Sequence, residues 1–369
     1  MGGQMEKSFR FEIEEQLFLV NRATGEAALP NGFLDAAKQA TGGQVMGDMR
    51  QSQIEIVTLP HYDMKTARAE LHHLRRTIAK AADEHGLAIL TANTCRTAEW
   101  LDPARADPVR KDTVKNSLSM IGQHNLTCGL HVHVDLPDPD ERITLMLRML
   151  PYLPLFVALV TPEALWKSPA IGLKCFRLAA ADGTWVPKIF CDTRQFAGAV
   201  RTLVRAGLMP DSSFLWWGIR PSLERATLEL RAPDSGAVVD DAIAIAALFR
   251  VLARRLTVAP ALNFGLDSIA RAIAVENKWQ TRSNGAHGAH FGPDNPVTIA
   301  ELLDTAIEET TADAVALGCL PELLHCRTIA GTAAPADVQL EELHTYGTLD
   351  DTADSLDAVA SWATIATLH

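Results

Sequence analysis

Ten polar side chains on four short stretches are spaced so that each stretch aims them to one side. In residues 9–20, Phe-Arg-Phe-Glu-Ile-Glu-Glu-Gln-Leu-Phe-Leu-Val, aromatic and branched residues alternate with polar ones. A period of two sends Glu12, Glu14 and Gln16 to one face of a strand, and Phe11, Ile13 and Glu15 to the other. The same habit recurs in residues 53–58 (Gln53 and Glu55), 126–134 (His131 and His133) and 227–231 (Thr227, Glu229 and Arg231). Carboxylates at i and i+2 on a strand repel, so such a row needs open water or a bound cation. Carboxylate oxygens suit hard Mg²⁺ or Mn²⁺, and an imidazole is compatible with Mn²⁺ and tolerated beside Mg²⁺. Because Mg²⁺ ordinarily bridges substrate phosphates, this chemistry suggests an ATP site outside the P-loop class. Arg231 beside Glu229 would then meet the negative charge of a phosphoryl group in transfer.

Each stretch alone has a plainer reading. A strand glutamate usually faces solvent, a lone histidine on an apolar strand is usually a hydrogen-bonded core residue, and Glu229 with Arg231 can be a structural ion pair. The four together argue for a polar floor, because solvated faces and core histidines give no reason for all of them to share one pattern. A second chemistry uses His131, His133 and a carboxylate as three ligands of a zinc hydrolase, with a fourth position open to water. Bound zinc and hydrolysis without ATP would distinguish it.

The elements that would hold these residues follow from pattern and punctuation. Residues 63–86 read as an amphipathic helix capped by Asp63, with Leu71, Leu74, Ile78 and Ala81 on its apolar stripe and Gly86 as its stop. Leu87–Ala92 is an apolar strand. Asp138-Pro139 opens a helix that ends near Pro151, and further helices are expected over 192–207, from Asp240 to Arg254-Arg255, and over 268–282, 298–317 and 352–367. There is no internal repeat, no regular βαβ rhythm and no glycine-rich phosphate loop. The expectation is an α+β fold with a mainly antiparallel sheet, in a single domain over 1–369.

Bulk composition narrows the classes further. The balance of 34 basic and 45 acidic residues gives a net charge of −11, which argues against nucleic acid or an anionic membrane as partner. Six cysteines occur without Cys-x-x-Cys spacing, favouring reduced thiols over a disulfide framework or a thiolate zinc site. The opening Met-Gly-Gly-Gln-Met-Glu-Lys has no apolar run of the secretory kind, and the expected location is cytoplasmic. The most apolar run, about residues 143–160, is interrupted by Arg148, Pro151 and Pro154, so it reads as a buried helix and turn. A homo-oligomer is compatible with all of this.

A set of islands in the chain resembles carboxylate-amine ligases of the type-2 glutamate–cysteine ligase family. They are Glu14-Glu15-Gln16 with Leu19-Val20-Asn21 and Ala23-Thr24-Gly25-Glu26, then Gln53-Ile54-Glu55-Ile56, and Cys128-Gly129-Leu130-His131-Val132-His133-Val134. Pro151-Tyr152-Leu153-Pro154, Trp166, Gly172-Leu173 and Arg177 follow, then Ile219-Arg220-Pro221, Thr227-Leu228-Glu229-Leu230-Arg231 and Glu276-Asn277-Lys278-Trp279. They keep the family's order from about residue 9 to 285.

The resemblance implies a glutamine-synthetase-like fold with a funnel-shaped site flanked by helices. It also implies ATP-dependent amide formation, of γ-glutamyl type, through an acyl phosphate, from a small carboxylic acid and an amine. Carried over by position, Glu14, Glu55, His131 and Glu229 are metal ligands, with Gln16 where the family often has another glutamate. Arg231 matches an arginine that contacts phosphate, Arg220 and Arg177 are further anion-binding candidates, and Asn277 and Lys278 are nucleotide or substrate contacts. Departures are that Glu12 stands where the family has glycine, and that the segments around Trp166 and Gly172 have lost polar groups. His287 and His290 lie outside the pattern. Gln16 and the apolar replacements near Trp166 motivate a third reading, a non-catalytic nucleotide or amino-acid binder, which thermal stabilisation by ATP without turnover would distinguish.

Overall fold

In the computed structural model the described residues are 9–24, 27–47, 53–91, 128–159, 186–222, 225–265, 267–284, 289–291 and 295–331. The chain runs β1 (Phe11–Asn21), α1 (Phe33–Ala40), β2 (Val45–Gly47), β3 (Gln53–Val57), α2 (Met64–Asp83), β4 (Leu87–Leu90) and β5 (Leu130–Asp135). After these come α3 (Pro139–Arg148), a 3-10 turn at Leu150–Tyr152, α4 (Leu153–Ala158), α5 (Thr193–Arg205), β6 (Ile219–Pro221) and β7 (Thr227–Leu230). The last described elements are α6 (Val239–Val258), α7 (Ser268–Asn284), β8 (Ala289–Phe291), β9 (Pro296–Thr298), α8 (Ile299–Leu317) and α9 (Leu320–Gly331).

One sheet positions the site. Its strand order is β2-β3-β1-β5-β7-β6, with β4 also paired to β1, and every pairing is antiparallel. β1 is long enough to serve several neighbours. Residues 11–15 pair with β5, 14–18 with β3 and 18–21 with β4. Residues directly opposite each other in an antiparallel pair share a face, so register decides which polar groups meet. Glu14 faces His131, Gln16 faces Glu55, Glu12 faces His133, and His133 faces Glu229, which in turn faces Arg220. The four stretches expected to share a floor do so.

The opposite face of β1 carries Phe11, Ile13, Leu17 and Leu19 into the main core, where α2 and α6 cover the sheet. Helix α2 follows its sequence pattern: the Asp63 carboxylate accepts the Thr66 N–H, the Leu71, Leu74 and Ile78 stripe is buried, and Gly86 takes φ 69 beyond the end. Helix α6 is buried from Ala242 through Ala253 without interruption, as an all-round apolar helix must be. Two pairs of prolines and leucines split the apolar run at 143–160 into α3, the turn and α4. Short elements without a periodic signature (α1, β2, β6, β8, β9) and α9 escaped the sequence pattern, and the helix expected over 352–367 lies outside the described residues. Among the described residues no helix is long and apolar enough to cross a membrane.

A candidate metal and phosphate site on the sheet

At the centre of the floor stands Glu14, buried, with its two carboxylate oxygens turned different ways. Oε1 lies 3.2 Å from His133 Nε2, and Oε2 lies 3.5 Å from His131 Nδ1. Glu55 Oε1 approaches the same His131 Nδ1 to 3.5 Å. Among the described residues, ligand atoms of Glu14, His131 and Glu229 all come within 4.8 Å of one another, close enough to hold one ion. The three come from β1, β5 and β7, and the flat register of those strands is what gathers them.

Two observations test whether a hard divalent cation fits. The donor set is two carboxylates and one imidazole, which suits Mn²⁺ or Mg²⁺ better than a thiolate metal. Both ring nitrogens of His131 and the Nε2 of His133 are buried without a hydrogen-bonding partner. Each such buried polar atom costs about 1–3 kcal/mol unless something else satisfies it. A cation beside His131 would do so, and the residues fit the group.

The anionic charge is heavily matched by arginine. Arg220 holds Glu229 through both carboxylate oxygens, Nε to Oε2 at 2.7 Å and Nη2 to Oε1 at 3.2 Å, and Arg231 Nη1 reaches the same Oε1. Burial alone would raise the Glu229 carboxyl, but Arg231 and Arg220 outweigh it and hold it well below the usual carboxylate range. Burial likewise opposes the charge on Glu14, and the imidazoles of His131 and His133 prevail and hold it ionised. Arg220 is pulled down by its own burial, whereas in Arg231 the pairing with Glu229 more than offsets burial and raises it.

The structure therefore brings Glu14, Glu55, His131, Glu229, Arg220 and Arg231 into one cluster. Gln16 behaves differently: its Oε1 accepts the Gly129 N–H at 2.8 Å, where the β1–β5 ladder would otherwise break, and the Ser235 hydroxyl donates to its carbonyl. Asn277 and Lys278 are buried in the middle of α7, which packs mainly on α4 and β8 rather than on the strands of the floor. His290 pairs with Thr281 of α7 at 2.7 Å in the same region. Arg177 and His287 lie outside the described residues.

Arg225 was missed by sequence reasoning. From the loop before β7 its Nη1 lies 2.7 Å from both Glu12 Oε2 and Glu14 Oε1. Loop residues carry no period, so the only available signal was an additional acid, Glu12, on a face already crowded with carboxylates.

Known proteins resemble this chain in sequence and in fold. The model of Glutamate-cysteine ligase family 2 (GCS2) matches residues 12–348. A Bradyrhizobium sp. (strain ORS 278) protein named "Putative glutamate--cysteine ligase 2" is 42% identical over 372 residues, covering 100% of this chain and 90% of its own. A Rhodospirillum rubrum protein of the same name is 35% identical over 346 residues, covering 91% and 89%. In fold, the chain is similar to the glutamate–cysteine ligase of Francisella tularensis solved with AMP (TM-score 0.70, 12% identity, 98% of this chain and 90% of that one). It is also similar to a bifunctional glutathione synthetase from Pasteurella multocida (TM-score 0.69, 13% identity, 96% of this chain and 52% of that one). The fold is thus the glutamine-synthetase-like one that the family resemblance implied. With a match that begins at the first acid of β1 and runs past the last described helix, the chain belongs to glutamate-cysteine ligase family 2.

Proposed function

We propose that the protein is an ATP-dependent ligase that joins a small carboxylic acid, of the glutamate type, to an amine, with Mg²⁺ or Mn²⁺ held by Glu14, His131 and Glu229. The observation that carries the site assignment is the convergence of those three donors around buried imidazole nitrogens that have no hydrogen bond. Glu55 stands next to them and is a further ligand of the same set. A divalent ion bound there supplies charge neutralisation for the nucleotide's phosphates.

The chain's own residues account for the rest. The γ-phosphoryl group moves to the acid's carboxylate oxygen, forming an acyl phosphate and releasing ADP. The amine nitrogen then attacks the acyl carbon; the C–N bond forms as the C–O bond to phosphate breaks, phosphate leaves, and the amine's proton passes to solvent. Arg231 and Arg220 are ion-paired to Glu229 at the floor, which fixes their guanidinium groups in place, and their assigned role is to meet the negative charge of the phosphoryl group in transfer. Fixed charge and alignment of two bound substrates supply the acceleration; no side chain of the floor is needed as a general base.

His133 is not one of the donors that converge on a common point with His131 among the described residues, so the geometry does not favour a His-x-His hydrolase. The test is ADP release from ATP and Mg²⁺ with glutamate and pools of amines. Amine-dependent ADP with a matching amide product is expected. Folded protein that binds ATP yet releases no ADP with any acid and amine pool would overturn the ligase reading.

A further inference from the structure

Glu14 is offered to two cations at once. Its Oε2 lies 3.5 Å from His131 Nδ1, the nitrogen that Glu55 Oε1 also approaches, while its Oε1 is 2.7 Å from Arg225 Nη1. The same nitrogen is held at 2.7 Å by Glu12 Oε2, so the guanidinium spans two carboxylates of one strand face. Glu12 is two residues from Glu14 on β1, and without a cation between them the two would repel. The Arg225 side chain is only one-third exposed, and the Glu12 side chain less than half as exposed as that. An ion pair of this kind restrains its members more than one on open surface.

We propose that Arg225 is a positioning residue, a built-in cation shared between Glu12 and Glu14 that reserves Glu14 Oε1 and thereby sets how tightly the floor takes a divalent metal. It acts through Glu14. Of the two oxygens only Oε2 is then left for the ion beside His131, and a second positive charge stands close behind the same carboxylate. Glu12 has the opposite influence: it draws Arg225 away from Glu14 and shares its charge. This inference rests on the metal assignment proposed above, but not on which acid or amine is joined.

The experiment is a titration of the full chain with Mn²⁺, without nucleotide, followed by the loss of the free-ion electron paramagnetic resonance signal. Arg225→Gln removes the competing charge and is expected to tighten Mn²⁺ about tenfold. Arg225→Lys retains the cation and is expected to stay near the parent. Glu12→Gln releases Arg225 onto Glu14 and is expected to weaken Mn²⁺ severalfold. Simple structural damage would weaken all three, so the opposite signs are diagnostic. Should Arg225→Gln not fold, Glu12→Gln and Arg225→Lys still decide.

Affinities of the folded Arg225→Gln and Glu12→Gln proteins within twofold of the parent, or a tightening by Glu12→Gln, would overturn the proposal. Absence of Mn²⁺ binding in every protein would overturn it together with the metal assignment. Opposite-signed shifts in a protein that never releases ADP would support this inference and overturn the ligase reading alone.

Discussion

Glu14 and Glu15 are neighbours on β1, both buried, and they face opposite sides of the sheet. On the helix side Glu15 meets Arg75 of α2 in a two-pronged pair, with Nε to Oε2 at 2.8 Å and Nη2 to Oε1, and Arg75 also donates to the carbonyls of Gly236 and Ala237. That charge pair is almost fully enclosed, at 1% and 0% exposure, and locks the segment after β7 against the back of β1. On the open side Glu14 faces His131, neither of whose ring nitrogens has a hydrogen bond, the likewise unmatched Nε2 of His133, and an arginine that it shares with Glu12. The same residue type, one position apart, thus belongs to a closed cluster and to an unfinished one. A buried ion pair with its donors and acceptors matched holds structure together, whereas a buried polar cluster with unmatched atoms is a place where a ligand completes the set.

The largest break in that comparison comes from the unfinished side. Glu14→Gln removes a charged metal donor while keeping the shape, and we expect kcat/KM for amide formation to fall about a thousandfold. Its melting temperature should fall far less than that of the Glu15→Gln variant, since only the Glu14 charge is lost and Arg225 keeps Glu12 as partner. Steady-state ADP release and a thermal melt on the same sample check both halves.

Glu15→Gln reverses the pattern. It leaves the Arg75 guanidinium enclosed without its counter-charge, and we expect a loss of about 3–5 kcal/mol of stability with turnover per folded molecule largely kept. Replacing both partners, Glu15→Leu with Arg75→Met, should cost much less than the sum of the single changes, because neither charge is then stranded. Urea denaturation measures the coupling. An additive result would mean that the two do not act as a pair.

How legible was this in the sequence? Period two on β1, β3, β5 and β7 was enough to assemble Glu14, Glu55, His131 and Glu229, because register on an antiparallel sheet carries faces across faithfully. The Glu15–Arg75 pair carried a signal that went unused. Glu15 falls on the Phe11 and Ile13 face of β1, and Arg75 falls four residues after Leu71 and three before Ile78 on the buried stripe of α2. Two opposite charges each misplaced on an apolar face are candidates to find one another. Arg225 and the carbonyl partners of Arg75 come from loops, where no periodicity reports direction and the contact spans more than 160 residues of sequence. Gln16 shows a further limit: its position matched a metal ligand, but a ladder N–H without a backbone acceptor at Gly129 claimed its oxygen.

Acid separates the two faces more gently. The folded-state carboxyls of Glu14 and Glu229 lie below their ordinary value, so each contributes stability that is fully present above about pH 4.5 and lost as the pH falls through the folded value. Stability should therefore decline steadily as the pH falls below about 4.5, with no lower plateau in the ordinary carboxylate range. The decline should be shallower in Glu14→Gln, which has no proton to take up at that position. Denaturation midpoints at several pH values give the slope, and an unchanged slope would mean that Glu14 titrates normally.

The smallest effect we expect is at Gln16. A glutamate there would still accept the Gly129 N–H, so the β1–β5 junction is retained and stability should change by less than about 1 kcal/mol. The new charge stands directly across from Glu55 and adds a second negative centre on that side of the floor. Without a cation this pair repels; with Mn²⁺ bound beside His131 it attracts, so Gln16→Glu should tighten Mn²⁺ by about threefold while lowering the metal-free melting temperature slightly. The two signs are linked, because the same repulsion that loosens the empty protein is relieved on binding. A tightening much greater than tenfold would show the new carboxylate entering the ion's ligand shell, and would make Gln16 the residue that sets the number of ions the floor retains. No tightening at all would place its side chain wholly in the service of the strand junction, on the structural side of the contrast between Glu14 and Glu15.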